Sequence, residues 1–235
     1  MLIYNGIPDG KNQCSLTNTL IMSRGNTMNN DFTFQSKRDA NVLEMYEWDN
    51  TWWEQAPDTD RKRVLYIGDS ISCGIRRIAT EVSGRELLFD SFGTSKALDN
   101  PYFQESVRLF ALQEKHRELV LFNNGLHGWH LTAETFENDY AKMLSFLKNE
   151  FPQTPIVIVL STSVLDEKDD KKVVEYNSIA KELASKSHIP VIDLYAETKG
   201  KTQWYCPDGV HFCAEGYHCL AEKIVAAVRK VLKTD

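Results

Sequence analysis

Two short segments at opposite ends of the chain carry the residue types that hydrolytic chemistry uses. The first is Gly-Asp-Ser at 68–70, which follows an apolar run and precedes a helical pattern. A glycine just before the serine lets the backbone turn sharply and leaves the hydroxyl at a helix N-terminus, where the dipole stabilises a developing anion. The mechanics are those of a nucleophile elbow, although the Gly-x-Ser-x-Gly spelling is absent. The segment predicts Ser70 as a nucleophile, with ordinary turn chemistry as the alternative.

The second segment is Pro-Asp-Gly-Val-His at 207–211, which precedes the last helical pattern. An Asp and a His three residues apart on one turn can place the carboxylate against the imidazole Nδ1–H. The other ring nitrogen is then free to accept a proton from a serine hydroxyl. A capping Asp208 beside an incidental His211 is the alternative interpretation. Taken with Ser70, the pair predicts a Ser-His-Asp triad.

The elements that must position these segments alternate between apolar runs and amphipathic stretches. The candidate strands are Val64–Ile67, Leu87–Asp90, Leu119–Phe122, Ile156–Leu160 and Val191–Leu194. The candidate helices cover about 72–82, 103–116, 133–149, 170–187 and 214–232. Five β-rich runs that alternate with helices predict βαβ crossovers and a parallel sheet covered on both faces. Ligands of such sheets bind at the carboxyl ends of the strands, so the site is expected there.

Residues 1–60 differ in composition from the rest of the chain. They are rich in Asn, Thr, Asp and Gly and have only short apolar stretches. Because sixty such residues hardly sustain a core of their own, we expect an N-terminal arm, or edge strands, packed on a main domain at 61–235. The most apolar part of this arm is Trp-Asp-Asn-Thr-Trp-Trp at 48–53. These aromatic residues either anchor the arm or stack on sugar rings.

Composition excludes several classes of protein. The 235 residues include 27 Lys and Arg against 33 Asp and Glu, a formal net charge of −6, so no basic stripe for nucleic acid is expected. The longest apolar runs, such as 156–160, are far shorter than a membrane span needs. No signal peptide is visible, which favours a cytoplasmic location, and a secreted or periplasmic one stays open for a chain whose leader was removed. The oligomeric state is not predicted.

The cysteines were considered as a metal site. They stand at positions 14, 73, 206, 213 and 219 without any CxxC pair, which favours reduced thiols. Three of them lie close to His211 and His218, but the spacing does not reproduce a zinc motif. Neither a metal nor an organic cofactor is therefore predicted.

From about Arg63 to Leu232 the chain resembles the SGNH hydrolase superfamily, also called GDSL-type esterases and lipases. The block VLYIGDSIS at 64–72 is similar to the first motif of that superfamily, and Asp-x-x-His followed by FCAEGY at 212–217 is similar to its last. The resemblance implies Ser70 as nucleophile and His211 as general base and then acid, with an Asp partner. It also implies a flavodoxin-like, three-layer α/β/α sandwich whose parallel sheet has five strands.

The middle motifs of the superfamily supply the oxyanion hole, together with the Ser70 N–H. In the second, DSFGTSK at 90–96, Ser95 stands where the superfamily has a Gly and Gly93 comes two positions earlier. Either residue is expected to offer a backbone N–H. The third motif, FNNGLHG at 122–128, is similar to the Asn-x-Gly-Leu-His variant of a bacterial branch. It implies an amide donor from Asn123, with Asn124 as the alternative.

His127 and His130 follow the third candidate strand and are predicted at the rim of the site as substrate contacts, with a plain loop role as the alternative. Together these features predict a serine hydrolase that cleaves carboxylic esters, favouring a short-chain esterase such as a carbohydrate O-deacetylase. The expected partner is a small-molecule or carbohydrate ester. A catalytically silent carbohydrate- or ligand-binding module on the same fold, or a longer-chain acyl esterase or thioesterase, is the alternative.

Overall fold

The computed structural model describes residues 46–114 and 116–233. The strands are β1 (Asp49–Trp52), β2 (Lys62–Gly68), β3 (Leu87–Thr94), β4 (Leu119–Phe122), β5 (Ile156–Val159) and β6 (Val191–Ile192). The helices are α1 (Ser70–Val82), α2 (Phe103–Ala111), α3 (Ala133–Glu150), α4 (Glu167–Lys186), α5 (Leu194–Thr198) and α6 (Ala214–Leu232). A 3₁₀ turn at Thr202–Trp204 precedes the loop to α6.

All six strands form one sheet in the order β1-β3-β2-β4-β5-β6. Strands β2 to β6 run parallel, and their order is the flavodoxin-like one, whereas β1 pairs antiparallel with β3. The predicted α/β/α sandwich is therefore confirmed, and the antiparallel edge strand is an addition to the five-stranded parallel sheet.

The side chains of β2 show how the sheet is covered on both faces. Val64 and Tyr66 pack in one apolar cluster with α1 and α6. Leu65 and Ile67 point to the other face and pack with α2 and α3. Since neighbouring residues of a strand face opposite sides, a strand buried on both faces is apolar on both, as β2 is from Val64 to Ile67.

Side-chain caps explain where several elements depart from the predicted bounds. The Asp69 carboxylate accepts from Ile71 N–H at 2.9 Å and so starts α1 at Ser70, two residues before the prediction. Asp193 accepts from Ala196 N–H at 2.9 Å and starts α5, which shortens the predicted strand at 191–194 to two residues. Short polar residues of this kind favour the ends of helices over strand interiors.

The described part of the N-terminal region comprises residues 46–60. Within it, β1 adds to the edge of the sheet and Trp53 stacks on Phe110 at a centroid distance of 4.1 Å. Residues 1–45, including Cys14, lie outside the described residues, so the domain division at residue 60 stays a prediction. None of the helices in the described ranges combines the length and apolar composition that a membrane span requires.

A buried ion pair joins the start of β2 to β3. The Arg63 guanidinium donates from Nε and Nη2 to the two oxygens of Asp90, at 2.9 and 2.8 Å, and both side chains are almost completely buried. Arg63 also donates to the carbonyl oxygens of Glu54 and Asp58. The fork geometry of arginine therefore fixes the β1–β2 connection as well as the strand pair.

Asp90→Asn is expected to lower the free energy of unfolding by about 3–5 kcal/mol, because it leaves the Arg63 charge buried without a counter-ion. Urea unfolding followed by circular dichroism measures this. Glu81→Gln, which removes an exposed ion pair with Arg85, is the control and should leave the midpoint unchanged. A loss below about 1 kcal/mol for Asp90→Asn would show that the pair does not stabilise the fold.

Candidate active site

Two packed helices bring the two segments with the predicted triad residues together. Ser70 is the first residue of α1, directly after β2, and the loop with Asp208 and His211 leads into α6. The two helices cross closely at Gly74, where a Cβ atom would lie 2.3 Å from Cε1 of Tyr217. A side chain at position 74 would therefore push α6 away and move His211 relative to Ser70.

Ser70, His211 and Asp208 form a continuous hydrogen-bonded series at this place. His211 Nε2 lies 2.8 Å from Ser70 Oγ, and His211 Nδ1 lies 2.8 Å from Asp208 Oδ2. The serine is half-buried, so its hydroxyl is accessible. This is the geometry in which an imidazole takes a proton from a serine while a carboxylate holds the ring.

The loop around Asp208 keeps its carboxylate ionised. Burial favours the neutral form, but the N–H groups of Val210 and His211 both donate to Oδ1 at 2.9 Å and outweigh it, so the pKa of Asp208 is lowered from its ordinary value of 3.8. A lowered pKa contributes stability above the ordinary value, and this contribution is lost as the pH falls through the lowered one. The carboxylate is thus available to the imidazole at neutral pH.

The loop after β5 supports the loop of the triad, and nothing in the sequence signalled it. Leu165 N–H donates to Gly209 O at 2.9 Å, and Gly209 has a φ of 72°, which favours glycine. Ser163 Oγ lies 2.5 Å from the Tyr205 hydroxyl, which also donates to Ser163 O at 2.9 Å. These bonds join residues about forty positions apart, and they hold the Asp208–His211 turn in place against the loop after β5.

Asp69 is a second carboxylate beside the nucleophile. Its side chain is 1% exposed, and burial raises its pKa from 3.8 despite electrostatic attraction from His127 and His211. Only Oδ1 has a hydrogen-bond partner, the N–H of Ile71, and Oδ2 is buried without one. The sequence showed this residue only as part of the Gly-Asp-Ser turn.

Both residues of the second motif have their backbones engaged with the N-terminal segment. The N–H of Ser95 donates to Trp48 O at 3.1 Å, and its hydroxyl donates to Glu47 at 2.8 Å and accepts from Trp48 N–H at 2.9 Å. Gly93 lies inside β3, opposite Gly68 on one side and Asn50 on the other. Its N–H therefore lies in the plane of the sheet, directed to a neighbouring strand.

The two asparagines of the third motif bridge strands in opposite directions. Asn123 Nδ2 donates to Val159 O at 2.9 Å and to Ser161 Oγ at 3.2 Å, which ties β4 to β5. Asn124 Nδ2 donates to Lys96 O at 2.9 Å, and its Oδ1 is buried without a partner. The Asn123 amide thus points toward β5, away from β2. The Asn124 amide points the other way, across the end of β2 to the segment that follows β3.

The two histidines after β4 lie in different environments. His127 is 3% exposed, and its ring meets that of Trp48 edge-on at a centroid distance of 5.9 Å. His130 is exposed, and its Nε2 lies 2.7 Å from Asp99 Oδ2. Both residues follow β4 at the carboxyl edge of the sheet, and of the two His127 is the buried one. Their role as substrate contacts stays a prediction.

The cysteines at positions 73, 213 and 219 carry free thiols. Within residues 46–114 and 116–233, no three His, Cys, Asp or Glu side chains are grouped closely enough to hold a metal ion.

The sequence of residues 66–219, more than half of the chain, matches the model of the GDSL-like lipase/acylhydrolase family. The chain belongs to this family. The resemblance to the SGNH superfamily is thereby confirmed, and the GDSL-like protein described here is a carboxylic ester hydrolase. The matched residues include Ser70, Asp208 and His211.

Solved structures of hydrolases share the fold. A lipase/acylhydrolase from Enterococcus faecalis is 18% identical, with a TM-score of 0.57 over 72% of this chain and 96% of that one. A GDSL-like lipase from Bacteroides thetaiotaomicron is 19% identical, with a TM-score of 0.59 over 72% and 89%. An acetyl xylan esterase is 19% identical, with a TM-score of 0.56 over 71% and 99%. A comparison with curated proteins gave no significant match.

Proposed function

We propose that this protein is a serine esterase whose nucleophile is Ser70, and that it removes short acyl groups, acetyl above all, from carbohydrates or other small alcohols. The observation that carries the proposal is the series of two 2.8 Å contacts from Ser70 Oγ through His211 to Asp208. Ser70 begins α1, and Asp208 and His211 share one turn 138 residues or more further along the chain, yet all three are aligned for proton transfer without any rearrangement.

The reaction follows from these contacts. His211 Nε2 takes the hydroxyl proton as Ser70 Oγ attacks the ester carbonyl, and Asp208 stabilises the imidazolium. The Ser70 N–H, at the start of α1, has no partner within the helix and donates to the developing oxyanion, while the next N–H, that of Ile71, is bonded to Asp69. His211 then gives the proton to the leaving alcohol, and a water molecule reverses the steps to release the acid from the acyl-enzyme.

Two features support a short acyl group and a sugar-like alcohol. Apart from Leu160, the residues that directly follow the ends of β4 and β5 are small and polar, namely Asn123, Asn124, Gly125, Ser161, Thr162 and Ser163. The half-buried Trp48 stands beside this edge, whereas Trp53 is used to anchor the segment on Phe110. An aromatic ring at such an edge suits the apolar face of a sugar, and one structural neighbour is an acetyl xylan esterase.

Kinetics on p-nitrophenyl acetate, butyrate and octanoate tests the substrate class. We expect kcat/KM to fall by at least about tenfold from acetate to octanoate, because the small polar residues at this edge of the sheet offer a long acyl chain little apolar surface to pack on. Acetate release from acetylated xylan tests the alcohol side in the same preparation. A preference for octanoate would assign a longer-chain acyl esterase, and no turnover of any ester would assign a binding module.

A further inference from the structure

The esterase proposed above needs a side-chain donor for the acyl oxygen, and Asn123 does not supply it. An amide nitrogen carries two hydrogens, and those of Asn123 are both used, on Val159 O and on Ser161 Oγ. Both acceptors lie on the β5 side of β4, whereas Ser70 follows β2 on the other side. Turning the amide toward Ser70 would leave two buried oxygens without a donor, which is costly.

The backbone donors expected from the second motif are engaged as well. Ser95 N–H is bonded to Trp48 O, and the N–H of Gly93 lies within the sheet. An oxyanion in acyl transfer is stabilised by several convergent donors, and α1 offers them from one side only. A further donor must therefore come from the loop after β4.

The ring of His127 lies where that donor is needed. The strand register shows at which end of the sheet it lies. Gly93 pairs with Gly68 at the end of β2, and Ser95, two residues after Gly93, is bonded to Trp48. Trp48 is therefore at the end of the sheet where Ser70 follows β2. The imidazole contacts the Trp48 ring, near the end of β3, and interacts electrostatically with Asp69, at the end of β2. It thus reaches back from β4 across the end of β2.

We infer that His127 donates a hydrogen bond from its imidazole to the substrate's carbonyl oxygen, the role that the family motif assigns to an asparagine. An imidazole carries at least one ring N–H, so His127 can supply the donor that the amide of Asn123 uses on β5. His127 is then a catalytic residue beside the triad, and Asn123 has a structural role between β4 and β5. This inference rests on the proposed esterase activity.

The test compares single alanine variants of His127, Asn123, Asn124 and His116 on p-nitrophenyl acetate. We expect His127→Ala to lower kcat by about 10²–10³ with KM within about threefold, because the bond strengthens as the oxyanion forms. His116→Ala is the control, since it removes an exposed histidine that precedes β4, at the end of this strand opposite His127, and it should stay within about threefold of wild type.

Two further measurements separate catalysis from folding. Thermal unfolding shows whether each variant is native, and His127→Gln and His127→Asn place an amide N–H near one ring nitrogen or the other. The better of the two is expected to recover at least about tenfold of the loss, and binding of ethylboronic acid, which becomes a tetrahedral anion on Ser70, should follow kcat. A native His127→Ala within threefold of wild type overturns the inference, as does a loss confined to either asparagine. Failure of Ser70→Ala to abolish turnover refutes the proposed function itself.

Discussion

Ser70→Ala is expected to lower kcat/KM for p-nitrophenyl acetate by about 10⁵–10⁶, down to what binding and oxyanion stabilisation alone provide. The reason is that Ser70 Oγ, 2.8 Å from His211 Nε2, is the atom that forms the acyl-enzyme. Steady-state kinetics measures the loss. An alkyl fluorophosphonate followed by peptide mass analysis should label the wild type at Ser70 and leave the variant unlabelled.

The matched control is Ser72→Ala, in the same turn of α1. Ser72 is buried, and its hydroxyl donates only to Asp69 O at 2.6 Å, so its removal costs a local hydrogen bond and leaves the triad contacts in place. We expect this variant to keep activity within about tenfold of wild type. If Ser70→Ala retains more than about 1% of the activity in a preparation free of contaminating esterase, Ser70 is not the nucleophile.

Asp208→Asn is expected to lower kcat by about 10⁴ while the fold stays native. Asp208 Oδ1 accepts the N–H groups of Val210 and His211, and the Asn oxygen must stay there to keep both bonds. The amide nitrogen then faces His211 Nδ1, which has to become an acceptor. The proton moves to Nε2, and the imidazole can no longer accept one from Ser70.

Circular dichroism and the kinetics of the same preparations check this prediction. Asp58→Asn is the control, because it makes the same change at a carboxylate that accepts two backbone N–H groups, those of Asp60 and Arg61, before the start of β2 and so at the opposite end of that strand from Ser70. It should leave kcat within about threefold. Activity of Asp208→Asn within tenfold of wild type would show that Asp208 does not set the tautomer of His211.

The fold was largely predictable because its signals are local or periodic. The apolar strands buried on both faces and the amphipathic helices predicted the parallel sheet, and the five predicted strands overlap β2 to β6. The predicted helix at 103–116 ends at Ala111, where the guanidinium of Arg117 donates to the last carbonyl. No local sequence pattern predicts this bond, because it depends on the position of β4, which sets where Arg117 lies relative to the end of the helix.

The triad follows from the sequence for a similar reason. Ser70 directly follows a strand, Asp208 and His211 share one turn, and a parallel sheet gathers such segments at the carboxyl ends of its strands. The spacing and the fold class together therefore determine which three residues meet. Their roles in catalysis stay predictions that the substitutions above test.

Only the tertiary structure decided which donors are still available around Ser70. Ser95 is engaged by Trp48, 47 residues earlier, and Asn123 by Val159, 36 residues later. Whether an N–H is already hydrogen-bonded depends on which acceptor another part of the chain places beside it. Neither residue type nor spacing in the sequence identifies that acceptor. In the sequence His127 was one of two predicted rim histidines, and in the structure it is the buried one, with its ring against that of Trp48.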